Sequence, residues 1–125
     1  MMKNFILLHE IDTNRAIGIN VNEIVCFVLD TNPKSSTIYI KGDEDTIIRV
    51  NEKPADIIKK IGDNRKFVLV HTQRSNSELG IPQDIIKTLC RSKDDVMTLV
   101  SITDLNFADF EVNETVTSIV EMLNS

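Results

Sequence analysis

The chain has no tryptophan, one tyrosine and five phenylalanines in 125 residues, and its formal net charge is −5. With so few rings to stack on bases and no clear basic face, nucleic acid is not an expected partner. A small cluster of Lys41, Arg49, Lys53, Lys59 and Lys60 reads as a solvated face. No apolar run approaches the roughly 18 residues of a membrane span, so no membrane contact is expected. The opening residues 1–10 hold one lysine and a short apolar run before His9 and Glu10, too little for a signal peptide, and the expected location is the cytoplasm. Only two cysteines are present, Cys26 and Cys90. Flanked by apolar residues, they suit a reducing compartment and are expected as small core hydrophobes, not as a disulfide or metal pair.

Catalytic patterns are also missing. The chain has no Walker loop, no G-x-G-x-x-G, no H-E-x-x-H and no nucleophile elbow. The acidic run Asp43-Glu44-Asp45 misses calcium-loop spacing and reads as a solvated turn. The expectation is therefore a protein that is not an enzyme and needs no metal or cofactor.

What the chain does contain is a match to itself. Residues 5–61 align without a gap on residues 67–123, at an offset of 62, with 12 identities in 57 positions. Phe5 meets Phe67, Leu7 meets Leu69, His9 meets His71, Asn14 meets Asn76, Gly18-Ile19 meets Gly80-Ile81, and Val50-Asn51-Glu52 meets Val112-Asn113-Glu114. Two domains are thus expected, residues 1–62 and 63–125, each near the lower size limit for a lone core and sharing one with the other. The first half carries seven basic and nine acidic residues (5–61), net −2; the second carries four and nine (67–123), net −5.

Local patterns predict strands over 5–9, 16–19, 23–29, 37–41 and 46–50, separated by turns at 12–15, 32–35 and 42–45. Asn51 is the expected helix cap, with Ile57, Ile58 and Ile61 as the apolar stripe. The second half predicts strands over 67–71, 78–81, 85–90, 97–102 and 107–112, with Asn113 as the cap of a helix turned inward through Val116, Ile119, Val120 and Leu123. The resulting expectation is an α+β fold of two tandem repeats. Each has about five short antiparallel strands and one C-terminal helix, and the pair packs with pseudo-twofold symmetry.

The segments Phe5-Ile6-Leu7-Leu8, Ile17 through Val25, Thr37-Ile38-Tyr39-Ile40, Val50-Asn51-Glu52 and Ile57 through Ile61 resemble the FlbD-type small proteins of flagellar and swarming motility. Members of that family are single modules, whereas here the pattern runs twice. The resemblance implies a small non-catalytic cytoplasmic module.

Three side chains stand out as candidates. His9 and His71 occupy equivalent positions; a paired imidazole at the seam between halves would suit a small anionic ligand such as a nucleotide, while each alone would bond the backbone at a strand end. Phe107 replaces a polar residue of the first half, and an exposed ring there would mark a protein-partner surface. The function expected is binding or regulation through protein–protein contacts, with a protein partner or self-association through open sheet edges; the alternative is binding or sequestering a small anionic metabolite.

Overall fold

The segment Ile24–Leu29 is an almost unbroken apolar run, and such a run is stable as a strand only where both faces are covered. The computed structural model describes residues 4–31, 34–104 and 107–125, with the side chains of 43–46 left aside. It places this strand, β3, in the middle of a five-stranded sheet. The first half comprises β1 (Phe5–His9), β2 (Ala16–Asn20), a 3-10 turn (Val21–Glu23), β3, β4 (Ser36–Ile40), β5 (Asp43–Val50) and α1 (Pro54–Ile61). After a second 3-10 turn (Gly62–Asn64) come β6 (Phe67–His71), β7 (Glu78–Pro82), a 3-10 turn (Gln83–Ile85), β8 (Ile86–Arg91), β9 (Thr98–Ile102), β10 (Phe110–Val112) and α2 (Val116–Asn124).

The expected α+β pair of repeats is corrected by the sheets. The described residues are β-rich, with 45% strand against 23% helix, and form ten strands in three sheets with two helices, not two separate repeats that each keep a sheet and terminal helix to themselves. The sheets are β1-β2, β10-β9-β8 and β5-β4-β3-β7-β6, so the largest one runs across the midpoint of the chain. The joint is an antiparallel pairing of Phe27 with Gly80 and Val28 with Leu79. It joins β3 to β7, whereas the strand 62 positions after β3 is β8. The contact is therefore head-to-tail, and the expected pseudo-twofold packing is corrected with it. An offset match specifies which local elements form; it does not specify which edges then pair.

Two apolar clusters result, and each takes side chains from the other half. The first gathers Leu8, Val21, Ile24, Phe27, Ile57 and Ile61 with Phe67. The second gathers Val70, Ile81, Val100, Val112 and Ile119 with Val25 and Cys26. The β6-β7 hairpin thus lies between both clusters, with α1 packed against it on one side. Fully burying each of these large side chains contributes roughly 1.5–3 kcal/mol.

The seam depends on a missing atom. A Cβ on Gly80 would lie 2.5 Å from Cζ of Phe27 and 2.9 Å from Cδ2, and closer still to Cε2. Glycine lets the Phe27 ring lie on the β7 backbone, where it also meets the Phe67 ring at 5.2 Å between centroids. Arg65 seals the edge: its Nη1 donates to the carbonyls of Val21 (2.7 Å) and Ile24 (2.8 Å), and its Nε donates to Asp84 (3.0 Å). These bonds satisfy backbone oxygens at the 3-10 turn of the first half with a side chain from the linker.

Several local expectations shift. The caps are Lys53 for α1 and Thr115 for α2, whose hydroxyl accepts from the Ser118 N–H, and not Asn51 and Asn113. The turn expected over 42–45 shortens because β5 already begins at Asp43. The last strand is confined to Phe110–Val112. The turn expected at 32–35 includes Asn32 and Pro33, which lie outside the described residues, as do the side chains of the Asp43-Glu44-Asp45 run.

Gly80→Ala is expected to destabilise the fold by roughly 1–3 kcal/mol in urea unfolding, the usual cost of overpacking a buried contact. Gly18→Ala should stay within about 0.5 kcal/mol of the parent chain, because its Cβ would meet nothing nearer than Phe5 at 3.9 Å. Equal losses at both positions would contradict this account of the seam. Burial, with a smaller contribution from Asp104, pushes the Cys26 thiol up to about 12. A thiol reagent at neutral pH should therefore label one cysteine, the exposed Cys90, in the native chain and two after denaturation.

Candidate functional site

His9 ends β1 and His71 ends β6, and each is taken up by a glutamate of its own half. The Glu52 carboxylate accepts from the His9 backbone N–H (3.1 Å), and its second oxygen lies 2.7 Å from His9 Nδ1. Glu114 does the same for His71, at 2.9 and 2.7 Å. The asparagines beside those glutamates complete the arrangement. Asn51 Nδ2 donates to Asn14 Oδ1 at 3.0 Å, and Asn113 Nδ2 donates to Asn76 Oδ1 at 2.8 Å. Asn14 and Asn76 have φ of 55° and 54°, a left-handed geometry that asparagine tolerates at low cost in a tight turn.

The two halves thus carry the same latch. It ties the first hairpin of each half to the segment entering its helix. All the polar side chains that recur identically at the offset of 62 belong to it: His9, Asn14, Asn51 and Glu52, with their counterparts. Lys60 reinforces the first latch by donating to the Leu7 carbonyl (2.9 Å) and lying 3.5 Å from Glu52. Of the clustered cations noted in the sequence, Lys60 and Arg49 are engaged, Arg49 with Asp30 at 3.5 Å.

Each histidine is held within its own half, His9 by Glu52 and His71 by Glu114. β1 and β6 belong to different sheets. A cavity of about 320 Å³ beside the linker is lined by Arg65, Lys66, Gln83 and Asp84. Each imidazole keeps over a third of its surface exposed, at 37% and 39%, with Nδ1 already committed to a carboxylate. Among the described residues, no three His, Cys, Asp or Glu side chains gather as a metal site requires.

Phe107 is half-buried. Its ring meets Tyr39 of the first half edge-on, at 5.8 Å and 86°, and lies 6.4 Å from Phe110. Burial is the main reason the Tyr39 hydroxyl is pushed up from its ordinary value. The aromatic substitution noticed in the sequence therefore serves a contact between the halves.

The surface that sequence reasoning missed lies on β1. Ile6 and Leu8 point into the first cluster, and the alternate residues Phe5 and Leu7 are 65% and 56% exposed. Of their counterparts on β6, Phe67 is only 8% exposed and Leu69 is half-buried. A groove of about 420 Å³ is open between β8 and α2, lined by apolar Ile86, Leu89, Val116, Val120 and Leu123 together with polar Gln83, Lys87, Thr88 and Asn124. The corresponding residues of the first half, Ile24, Phe27 and Ile61 among them, are buried in one cluster with Phe67, whose ring meets that of Phe27. The recurrence of Phe5 as Phe67 was the available signal, but it could not show that only one of the two is covered.

Burial pushes the Glu52 carboxyl up, yet the bonds from His9, the local backbone N–H and Lys60 together hold it below its ordinary value of 4.5. A depressed carboxylate stabilises the fold above its unfolded-state value, and that contribution is lost as pH falls through the folded-state value. Thermal melts from pH 6 down to pH 3 should therefore show stability declining below about 4.5 (the value from which Glu52 is lowered), and Glu52→Gln should be less stable at pH 6 with a flatter acid limb. An unchanged acid limb would remove Glu52 from this role.

The chain matches no protein-family model, and no curated protein or solved structure was found to match it.

Proposed function

We propose that this chain is a non-catalytic binding module that acts through protein–protein contacts, with the outer face of the β1-β2 hairpin as its working surface. The observation that carries this reading is the exposure of Phe5 and Leu7 at 65% and 56% on one face of a strand. Two large apolar side chains on an unpaired hairpin leave apolar area in water that a partner would cover. The edge of β2 points the same way. Among the described residues β2 is bonded only to β1, so its outer N–H and C=O groups are available for strand addition. The recurring polar residues support the reading from the other side, because they are engaged in holding the hairpin against the helix entry. A rigid hairpin loses little conformational entropy when it binds.

No helix among the described residues is long and apolar enough to cross a membrane. The two cysteines are unpaired, Cys26 buried and Cys90 exposed. Free thiols of this kind suit a reducing compartment, and we place the module in the cytoplasm.

The reading is tested by installing a photo-crosslinking amino acid at Leu7 in the host cell, with the exposed position Asp109 as control. A discrete protein adduct is expected from Leu7, lost when Phe5→Ser is added, and absent from Asp109. The same faint background from both positions would overturn the assignment of this face.

A further inference from the structure

We infer that the partner of this face is a second copy of the same chain, docked head-to-tail by repeating between molecules the contact that already joins the two halves. The inference rests on the protein-contact reading above and names its occupant.

Within the chain, the joint has three parts. The β7 edge pairs with the β3 edge, Gly80 receives the Phe27 ring, and Phe67 covers the surface between β3 and α1. Each part has a counterpart 62 residues away that is present and vacant. The counterpart of β7 is β2, which lacks a neighbour on its outer side among the described residues, and the counterpart of β3 is β8, which likewise has only β9. Gly18 matches Gly80, and the space above it holds nothing nearer than Phe5 at 3.9 Å. Phe5 matches Phe67 and is 65% exposed. The surface that Phe67 covers is matched by the open groove of about 420 Å³ between β8 and α2. The head of one molecule thus carries the plug and its tail carries the socket.

The register follows from the internal pairing. Phe27 opposite Gly80 becomes Leu89 opposite Gly18 of the neighbour, and Val28 opposite Leu79 becomes Cys90 opposite Ile17. Phe5 of the neighbour then enters the groove at Leu89, Val120 and Leu123. A leucine fills less of the space above the glycine than a phenylalanine does. Both β3 and β8 also carry a bulge at the same place, after Ile24 and after Ile86, so the edges offered have the same shape.

The contact is weaker than its internal model, for two reasons on the surface itself. Val25, Cys26 and Tyr39, which the second half covers, are matched by Lys87, Thr88 and Ser101. One side of the outer joint is therefore polar, as capping units of repeat arrays are. The halves also share one chain, which raises their effective concentration, and separate molecules lack that advantage. A head-to-tail contact does not close on itself in a pair, so association proceeds past the dimer to short chains or rings.

The test uses two exposed positions, Phe5 on the head and Val120 on the tail, the latter 39% exposed. Sedimentation velocity of the parent chain, up to about 1 mM, should show the 14.1 kDa monomer giving way to dimers and longer species as concentration rises. Phe5→Glu and Val120→Glu should each remain monomeric, with unchanged far-UV circular dichroism. Their equimolar mixture should form a dimer and stop there, because one intact tail meets one intact head and both remaining ends are blocked. A parent chain that stays monomeric throughout overturns the inference, and with it a Leu7 adduct to a different protein would leave the binding face standing. Failure of the mixture to pair, or a parent that stops at a closed dimer, also overturns it.

Discussion

The contact between the Phe27 ring and the bare backbone of Gly80 is the constraint on which the rest of the molecule depends. It brings β7 within pairing distance of β3 and so turns two small sets of strands into one sheet. Once that sheet exists, β6 and β7 have an apolar cluster on each side, and Val25 and Cys26 become core residues of the opposite half. Units of about 60 residues bury too little surface to be comfortable alone. Exchange of side chains across the joint enlarges both clusters without adding a residue. Arg65 completes the joint because its guanidinium, supplied by the linker, reaches the carbonyls of Val21 in the 3-10 turn and of Ile24 at the start of β3.

A different interaction maintains each half. The histidine–glutamate and asparagine–asparagine pairs link residues 37 to 43 positions apart, so they close the hairpin onto the helix entry after the chain has returned from β5 or β10. Bonds to a charged carboxylate are among the stronger hydrogen bonds in proteins. Their recurrence at both ends of the chain identifies them as part of the local plan. Histidines that look like ligand residues in a sequence are here aligned by a carboxylate on Nδ1, and the two rings lie on separate sheets.

Asymmetry between the halves carries the functional argument. Equivalent positions are more covered on β6 than on β1, and more covered on β3 than on β8. A joint that uses unlike edges always leaves one unlike edge at each end. β8 answers this with Lys87 and Thr88, which tolerate water, while β1 retains Phe5 and Leu7, which do not. Phe5 and Leu7 are more exposed than the other large apolar side chains at the surface, Ile47, Val96 and Val120, and the proposed partner contact would cover them.

The sequence by itself determined the local elements: the offset of 62 placed hairpins, strands and helices in both halves, and the unbroken Ile24–Leu29 run announced a strand covered on both faces. Periodicity reports how a segment meets its own neighbours, so these readings were available before any fold was known. Only the tertiary structure decided that β3 joins β7, that the joint is head-to-tail and not twofold, that Phe107 meets Tyr39, and that Asn51 and Glu52 serve a latch and not a helix cap. Those outcomes depend on which edge is free when the halves meet and on whether a Cβ is present at one position in a strand. Phe5 and Phe67 are the same residue in the same local pattern, and their opposite exposure follows from nothing but what lies across the sheet.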